Sequence, residues 1–216
     1  MANGDAFEHA VQLARETPSL DIGCHLVLVQ GRSLLTGRAF PEKPSQLLLA
    51  LARKQLDVYR ELRAQIEKIV AAGIRPTHLD SHKHTHIVPA VFRSVIQLAQ
   101  EFSVPFVRLP PLAVASRYYR ALASRANVQM TDHFLGFRLT GSLTEDTFAA
   151  ALSALPEGTT EFMCHPGYLG TELEAAATRL KGSRVLELEA LTSPRIRDLI
   201  VAEELQLATF PGVHQR

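Results

Sequence analysis

The chain has 216 residues, 23 Lys+Arg against 22 Asp+Glu for a formal charge of +1, and two cysteines. That length fits one domain with a sizeable core, and balanced, scattered charge leaves no electrostatic footprint for nucleic acid, so no nucleic-acid partner is expected. No apolar run reaches transmembrane length, residues 1–5 lack the basic and apolar parts of a signal peptide, and two thiols build no disulfide framework, so a cytoplasmic protein without a transmembrane segment is expected.

Residues 5–16 read as a helix: Phe7, Ala10, Val11, Leu13 and Ala14 fall near a 3.6 period, with Asp5 as N-cap. Residues 21–29 are a dense apolar run of strand length, interrupted by His25. That histidine is either a core residue with one backbone partner or a side chain aimed into a polar pocket from a parallel strand. A polar loop follows over 30–43. Ser45 then caps one long helix to about Ala72, closed by Gly73, with Leu47, Leu51, Leu56, Tyr59, Leu62 and Ile66 as its apolar stripe.

Next comes Thr77-His78-Leu79-Asp80-Ser81-His82-Lys83-His84-Thr85-His86, which holds four of the nine histidines. A strand running into a loop puts His78, Asp80, His82, His84 and His86 on one face. A row of imidazoles with a carboxylate makes a poor core, because every buried ring nitrogen needs a partner. It makes a good metal pole, because neutral imidazole is the commonest metal ligand among side chains. The plainer alternative is a solvated histidine-rich loop.

Pro89 opens a helix to Phe102. A short strand over 105–109 carries Arg108, a helix lies near 113–126, and a weak strand over 128–134 carries Asp132 and His133. A helix to Leu155 and a strand over 159–164 lead into His165-Pro166-Gly167-Tyr168. A helical region over 172–204 and a last strand over 205–210 complete the pattern. This alternation implies βαβ units and a parallel sheet, open or closed into a barrel. Chemistry in such folds gathers at the C-terminal ends of strands, where His25, His82, His84, His86, Arg108 and His165 all fall. Cys24 and Cys164 each precede one of these histidines, so alternation turns both toward the core.

Several pieces together resemble the YdjC-like carbohydrate deacetylases, the family of the chitooligosaccharide deacetylases and of relatives associated with hopanoid biosynthesis. They are Asn3-Gly4 with His9-Ala10-Val11-Gln12-Leu13, Gly23-x-His25, the histidine tract, Met163-Cys164-His165-Pro166-Gly167-Tyr168, and Glu187-Leu188-x-x-Leu191-Thr192-Ser193. The resemblance spans essentially the whole chain. It implies an α/β, TIM-barrel-like (β/α) fold of the polysaccharide-deacetylase type, one domain over residues 1–216, and metal-dependent removal of N-acetyl groups from amino sugars. The substrate class implied is a chitooligosaccharide or an N-acetylglucosamine glycolipid. His25 and His82 match the family's metal-binding histidines, with Mg2+ the expected ion and Zn2+ the alternative.

In that chemistry Asp80 orients a ligand histidine, completes the metal shell, or serves as base. His165 is the candidate general acid, or else a strand-end histidine bonded to backbone. Arg108, His84, His86 and Tyr168 line a sugar site, unless Arg108 is a surface salt-bridge partner. Family members open with an Asp-Asp-Phe-Gly strand that this chain, starting at Asn3-Gly4, does not contain. The expectations are an N-terminally truncated domain, an uncovered sheet edge that a homodimer would cover, and little activity. The alternative is a catalytically inactive metal- or sugar-binding relative. A phosphoesterase on the same barrel is disfavoured by the near-neutral charge and the lack of a phosphate loop.

Overall fold

A computed structural model of the chain describes residues 1–112 and 115–213. Strands β1 (Cys24–Leu26), β2 (His78–Ser81) and β3 (Phe106–Val107) lie side by side in that order, all parallel. The register sets Cys24 against Leu79, His25 against Asp80, and Leu26 against Ser81. Cys24, Leu26 and Leu79 are fully buried, so alternation sends His25 and Asp80 together to the opposite face. Gly23 and His78 come one step earlier on that face. A Cβ on Gly23 would lie 2.2 Å from His78 Nε2, so only glycine lets the imidazole cross there.

Helices α1 (Phe7–Glu16), α2 (Pro44–Ala52), α3 (Val58–Ala71), α4 (Pro89–Glu101) and α5 (Ser116–Arg125) supply the other apolar faces of this core. Leu62 and Ile66 of α3 and Val91, Phe92 and Val95 of α4 are among its fully buried members. The core belongs to a compact unit made of Met1–Met130 and Thr209–Arg216.

The second unit, Thr131–Ala208, has its own apolar cluster, built on Leu143, Phe148, Leu152, Ala190 and Ile196. Its strands β4 (His133–Leu135) and β5 (Thr160–Phe162) are parallel. Helices α6 (Glu145–Ser153), α7 (Thr171–Ala175), α8 (Gly182–Thr192) and α9 (Pro194–Ala202) complete it. The α/β class with parallel strands is as the alternation implied. Among the described residues the strands form one three-stranded and one two-stranded sheet, and no closed barrel.

Local departures have identifiable causes. The single helix expected from Ser45 to Ala72 is two helices, interrupted where Lys54 takes a left-handed conformation (φ 55°) and Asp57 caps α3 by accepting from the Arg60 amide at 3.1 Å. Ser45 is not the cap of α2. Lys43 holds that position and Pro44 opens the helix. Asp5 does not cap α1 either, since Ala6 stands there without a side-chain bond. The strand expected over 128–134 is reduced to a bridge between Phe106 and Gln129, with β4 starting only at His133. The strand expected over 205–210 is absent, and residues Phe210–Val213 instead form a short helix, α10. Positions 113 and 114 of the expected fifth helix lie outside the described residues.

Candidate active site

The histidine tract leaves the strand after Ser81. Residues His82–Ile87 wind into a tight 3-10 segment, with Lys83 and His84 both left-handed (φ 51° each). The row expected on one face is thereby broken: His78 and Asp80 keep it, while His84 and His86 turn out of it. Two side chains anchor the segment. Ser81 Oγ accepts from the His86 amide at 2.9 Å and lies 2.5 Å from its ring Nδ1, and Tyr119 donates to the Ile87 carbonyl at 2.5 Å. His86 ends fully buried, its Nε2 without a hydrogen-bond partner, so it cannot line a surface open to a sugar. Burial pushes its imidazole down to about 3, and the ring is neutral. His78 is also lowered, first by burial, with Asp80 opposing, and it stacks on Phe210 at 4.1 Å.

Three side chains, from β1, from β2 and from the residue after β3, make a relay. His25 Nδ1 donates to Asp80 Oδ1 at 2.8 Å, and Arg108 Nη1 pairs with Asp80 Oδ2 at 2.5 Å. Burial raises the Asp80 carboxyl, but the His25 ring, its hydrogen bond and the Arg108 guanidinium outweigh that and hold it well below the usual carboxylate range. Asp80 is therefore an anion that fixes the His25 tautomer. Of the roles anticipated for it, orienting a histidine suits this geometry, and taking a proton from water does not. Arg108 is no surface salt-bridge residue: its side chain is 12% exposed and engaged with Asp80.

His82 approaches from the turn, its ring centroid 5.6 Å from that of His25 at an interplanar angle of 77°. Its Nε2 lies 3.2 Å from Gln30 Oε1. The Gln30 amide donates to the Pro41 carbonyl at 2.8 Å, and α3 holds the chain on either side of it. Gln65 clamps Val27 through both its amide and its carbonyl, at 2.8 Å each. Glu61 accepts from Ser33 Oγ at 2.6 Å and from the Leu34 amide at 3.0 Å. Gln30 is the functional neighbour that the sequence marks only as the first residue of a polar loop, although a polar residue directly after the apolar run Leu26-Val27-Leu28-Val29 is the signal that marks a strand's C-terminal end.

His25 and His82 are the side chains here that could hold a divalent cation. A carboxylate holding Nδ1–H of His25 leaves Nε2 as the ligand nitrogen, the usual arrangement behind a metal-bound histidine. Among the described residues no group of three or more His, Cys, Asp or Glu side chains converges as a metal site. The side-chain donors for a cation there are the two imidazoles of His25 and His82.

His165 and Tyr168 belong to the second unit. The loop after β5 is tied to α8 at three points. The Gly167 amide donates to the Arg184 carbonyl at 3.1 Å, Arg184 Nη1 to the His165 carbonyl at 3.4 Å, and the His165 amide to Glu187 Oε2. The ring Nδ1 of His165 is 3.9 Å from the same carboxylate oxygen. Tyr168 is 85% exposed. Cys24 is fully buried and its thiol is pushed up to about 12 by burial, which suits neither a ligand nor a nucleophile, while Cys164 is partly buried against the second cluster.

A profile described as YdjC-like protein matches residues 1–202. The chain belongs to the YdjC-like family. Among curated relatives, the YdjC-like chain is 34% identical to a carbohydrate deacetylase of Brevibacillus brevis, over 97% of this chain and 85% of that one. It is 30% identical to a chitooligosaccharide deacetylase of Citrobacter koseri, over 99% and 86%. Among solved structures, a proposed cellobiose-phosphate cleavage protein from Enterococcus faecalis V583 superposes with a TM-score of 0.82 at 24% identity, covering 98% of this YdjC-like chain and 85% of that one. That likeness speaks for the fold alone. No helix among the described residues of the YdjC-like chain is long and apolar enough to cross a membrane.

Proposed function

We propose that the chain is a carbohydrate deacetylase, hydrolysing the N-acetyl amide of an amino sugar, an N-acetylglucosamine oligomer or glycolipid, with a divalent cation at His25 and His82. The observation that carries this reading is the His25–Asp80–Arg108 relay beside His82. It is supported by the names of relatives 30–34% identical over nearly the whole chain.

Amide hydrolysis needs an activated water, a polarised carbonyl and a proton for the departing amine. A bound divalent cation with open positions supplies the first two. Asp80 and Arg108 hold His25 in one tautomer and one orientation, which raises its basicity as a ligand. Gln30 aligns the His82 ring. On side-chain chemistry alone, His165 is kept as the candidate proton donor to the amine and exposed Tyr168 as a candidate stacking surface for a sugar ring. Two imidazole donors suit Zn2+ better than Mg2+, which prefers oxygen ligands.

Acetate release from N-acetylglucosamine oligomers and from a glucosaminyl lipid analogue tests this, with Zn2+ and Mg2+ compared. His25→Ala and His82→Ala are each expected to lower both metal affinity, by calorimetry, and turnover by about a hundredfold or more. Wild-type metal content in the double variant overturns the ligand assignment. A second reading, an inactive binding relative, is favoured by the absence of a third converging donor among the described residues. Metal uptake without any acetate release would select it.

A further inference from the structure

The buried carboxylate of Glu187 has no part in the hydrolysis described so far. It sits on α8, a helix that otherwise presents Ala190 to the second core, and Glu187 is 1% exposed. An acid this deeply buried is costly unless it is held by donors. One oxygen, Oε2, accepts from the His165 backbone amide and faces that residue's ring Nδ1 at 3.9 Å. The other, Oε1, is buried with no hydrogen-bond partner. A helix that needed only to pack would place an aliphatic residue here. A carboxylate aimed at a histidine has a different use.

We propose that Glu187 is a positioning residue for His165, fixing its backbone and lending negative charge to the protonated ring. This rests on the reading of His165 as proton donor. Geometry gives the carboxylate two separate handles. The amide bond pins the start of the His165-Pro166-Gly167-Tyr168 loop, an action shared with Arg184, which bonds the His165 carbonyl and the Gly167 amide from the same helix. The charge at 3.9 Å is too far for a direct ring hydrogen bond but well within range to favour the imidazolium. The groups facing His165 from α8 are thus an anion at the ring and amide, and a guanidinium at the carbonyl. Arg184 opposes the anion, but it meets the carbonyl side.

Glu187→Gln keeps an acceptor for the amide and removes the charge, so it separates the two handles. Histidine ring titration by NMR on the full chain, with His165→Asn to identify the resonance, reads the charge without needing turnover. The expected result is a downward shift of the His165 titration by about one unit in Glu187→Gln, with Glu187→Asp restoring part of it. In acetate release, the alkaline limb of kcat/KM is expected to move down by the same amount. At pH above that limb this is about a tenfold loss, with little change on the acid side.

An unchanged His165 titration in folded Glu187→Gln overturns the proposal. If that variant does not fold, Glu187→Asp decides: a His165 titration identical to wild type overturns it equally. Failure of the underlying reading looks different. If His165→Asn keeps wild-type acetate release while Glu187→Gln still shifts the ring, His165 is not the acid, yet the coupling stands.

Discussion

Asp80 is a buried anion and a hydrogen-bond acceptor at once, and it manages both because His25 and Arg108 each take one oxygen. Remove the charge and both partners change state: Arg108, nearly buried, loses its ion pair with Asp80, and the His25 tautomer is released. Asp80→Asn is therefore expected to destabilise the chain by about 3 kcal/mol or more in urea denaturation, and to weaken metal binding about 10–100-fold by calorimetry. An unaltered midpoint would show that the relay does not support the fold. That Asp80 orients a ligand histidine was legible in the sequence, since parity puts it on the face of the histidine row. That the histidine is His25 was not, because the pairing depends on the order and register of the strands. The role of Arg108 was not, because a single arginine at a strand end reads equally as a sugar contact or a surface charge until its neighbour is known. Gln30 was hidden for a similar reason: its meaning comes from His82, which lies 52 positions away.

At the scale of elements, α3 is what shapes the end of β1. Gln65 occupies the place of a neighbouring strand for Val27, giving that residue both of its backbone hydrogen bonds. Gln65→Leu would keep the volume and leave a buried amide and carbonyl without partners. A loss of about 2–5 kcal/mol is expected, together with faster hydrogen exchange at the Val27 amide. Retained exchange protection at Val27 would rule this out. The strand–helix order was readable from periodicity, and α4 and β2 start as expected. The break between α2 and α3 was not, because the apolar stripe runs through it and the kink falls on a lysine rather than on glycine or proline. The tight turn after Ser81 was missed for a related reason. Alternation predicts an extended chain through Lys83 and His84, two residues that take left-handed conformations between the anchors at Ser81 and Ile87.

For the whole molecule, the buried histidines set the response to acid. His86 is held neutral by burial, with its folded value about 3 against 6.5 when unfolded. Its contribution is fully present above pH 6.5 and is lost as pH falls toward 3, because the unfolded chain takes up a proton that the folded one refuses. His78 acts in the same sense, and Asp80 adds to it below its unfolded value of 3.8. Urea denaturation between pH 7 and 4 is expected to show stability falling by about 2–3 kcal/mol from His86 alone. His86→Gln should flatten that slope, and a slope that survives the change would place the titration elsewhere. The two thiols of the chain, finally, are of very different reach. Cys24 is sealed under the sheet, while Cys164 is only partly buried and directly precedes His165. The unaltered protein thus carries one addressable sulfur, so a fluorophore or spin label attached there would make the His165 loop its own reporter.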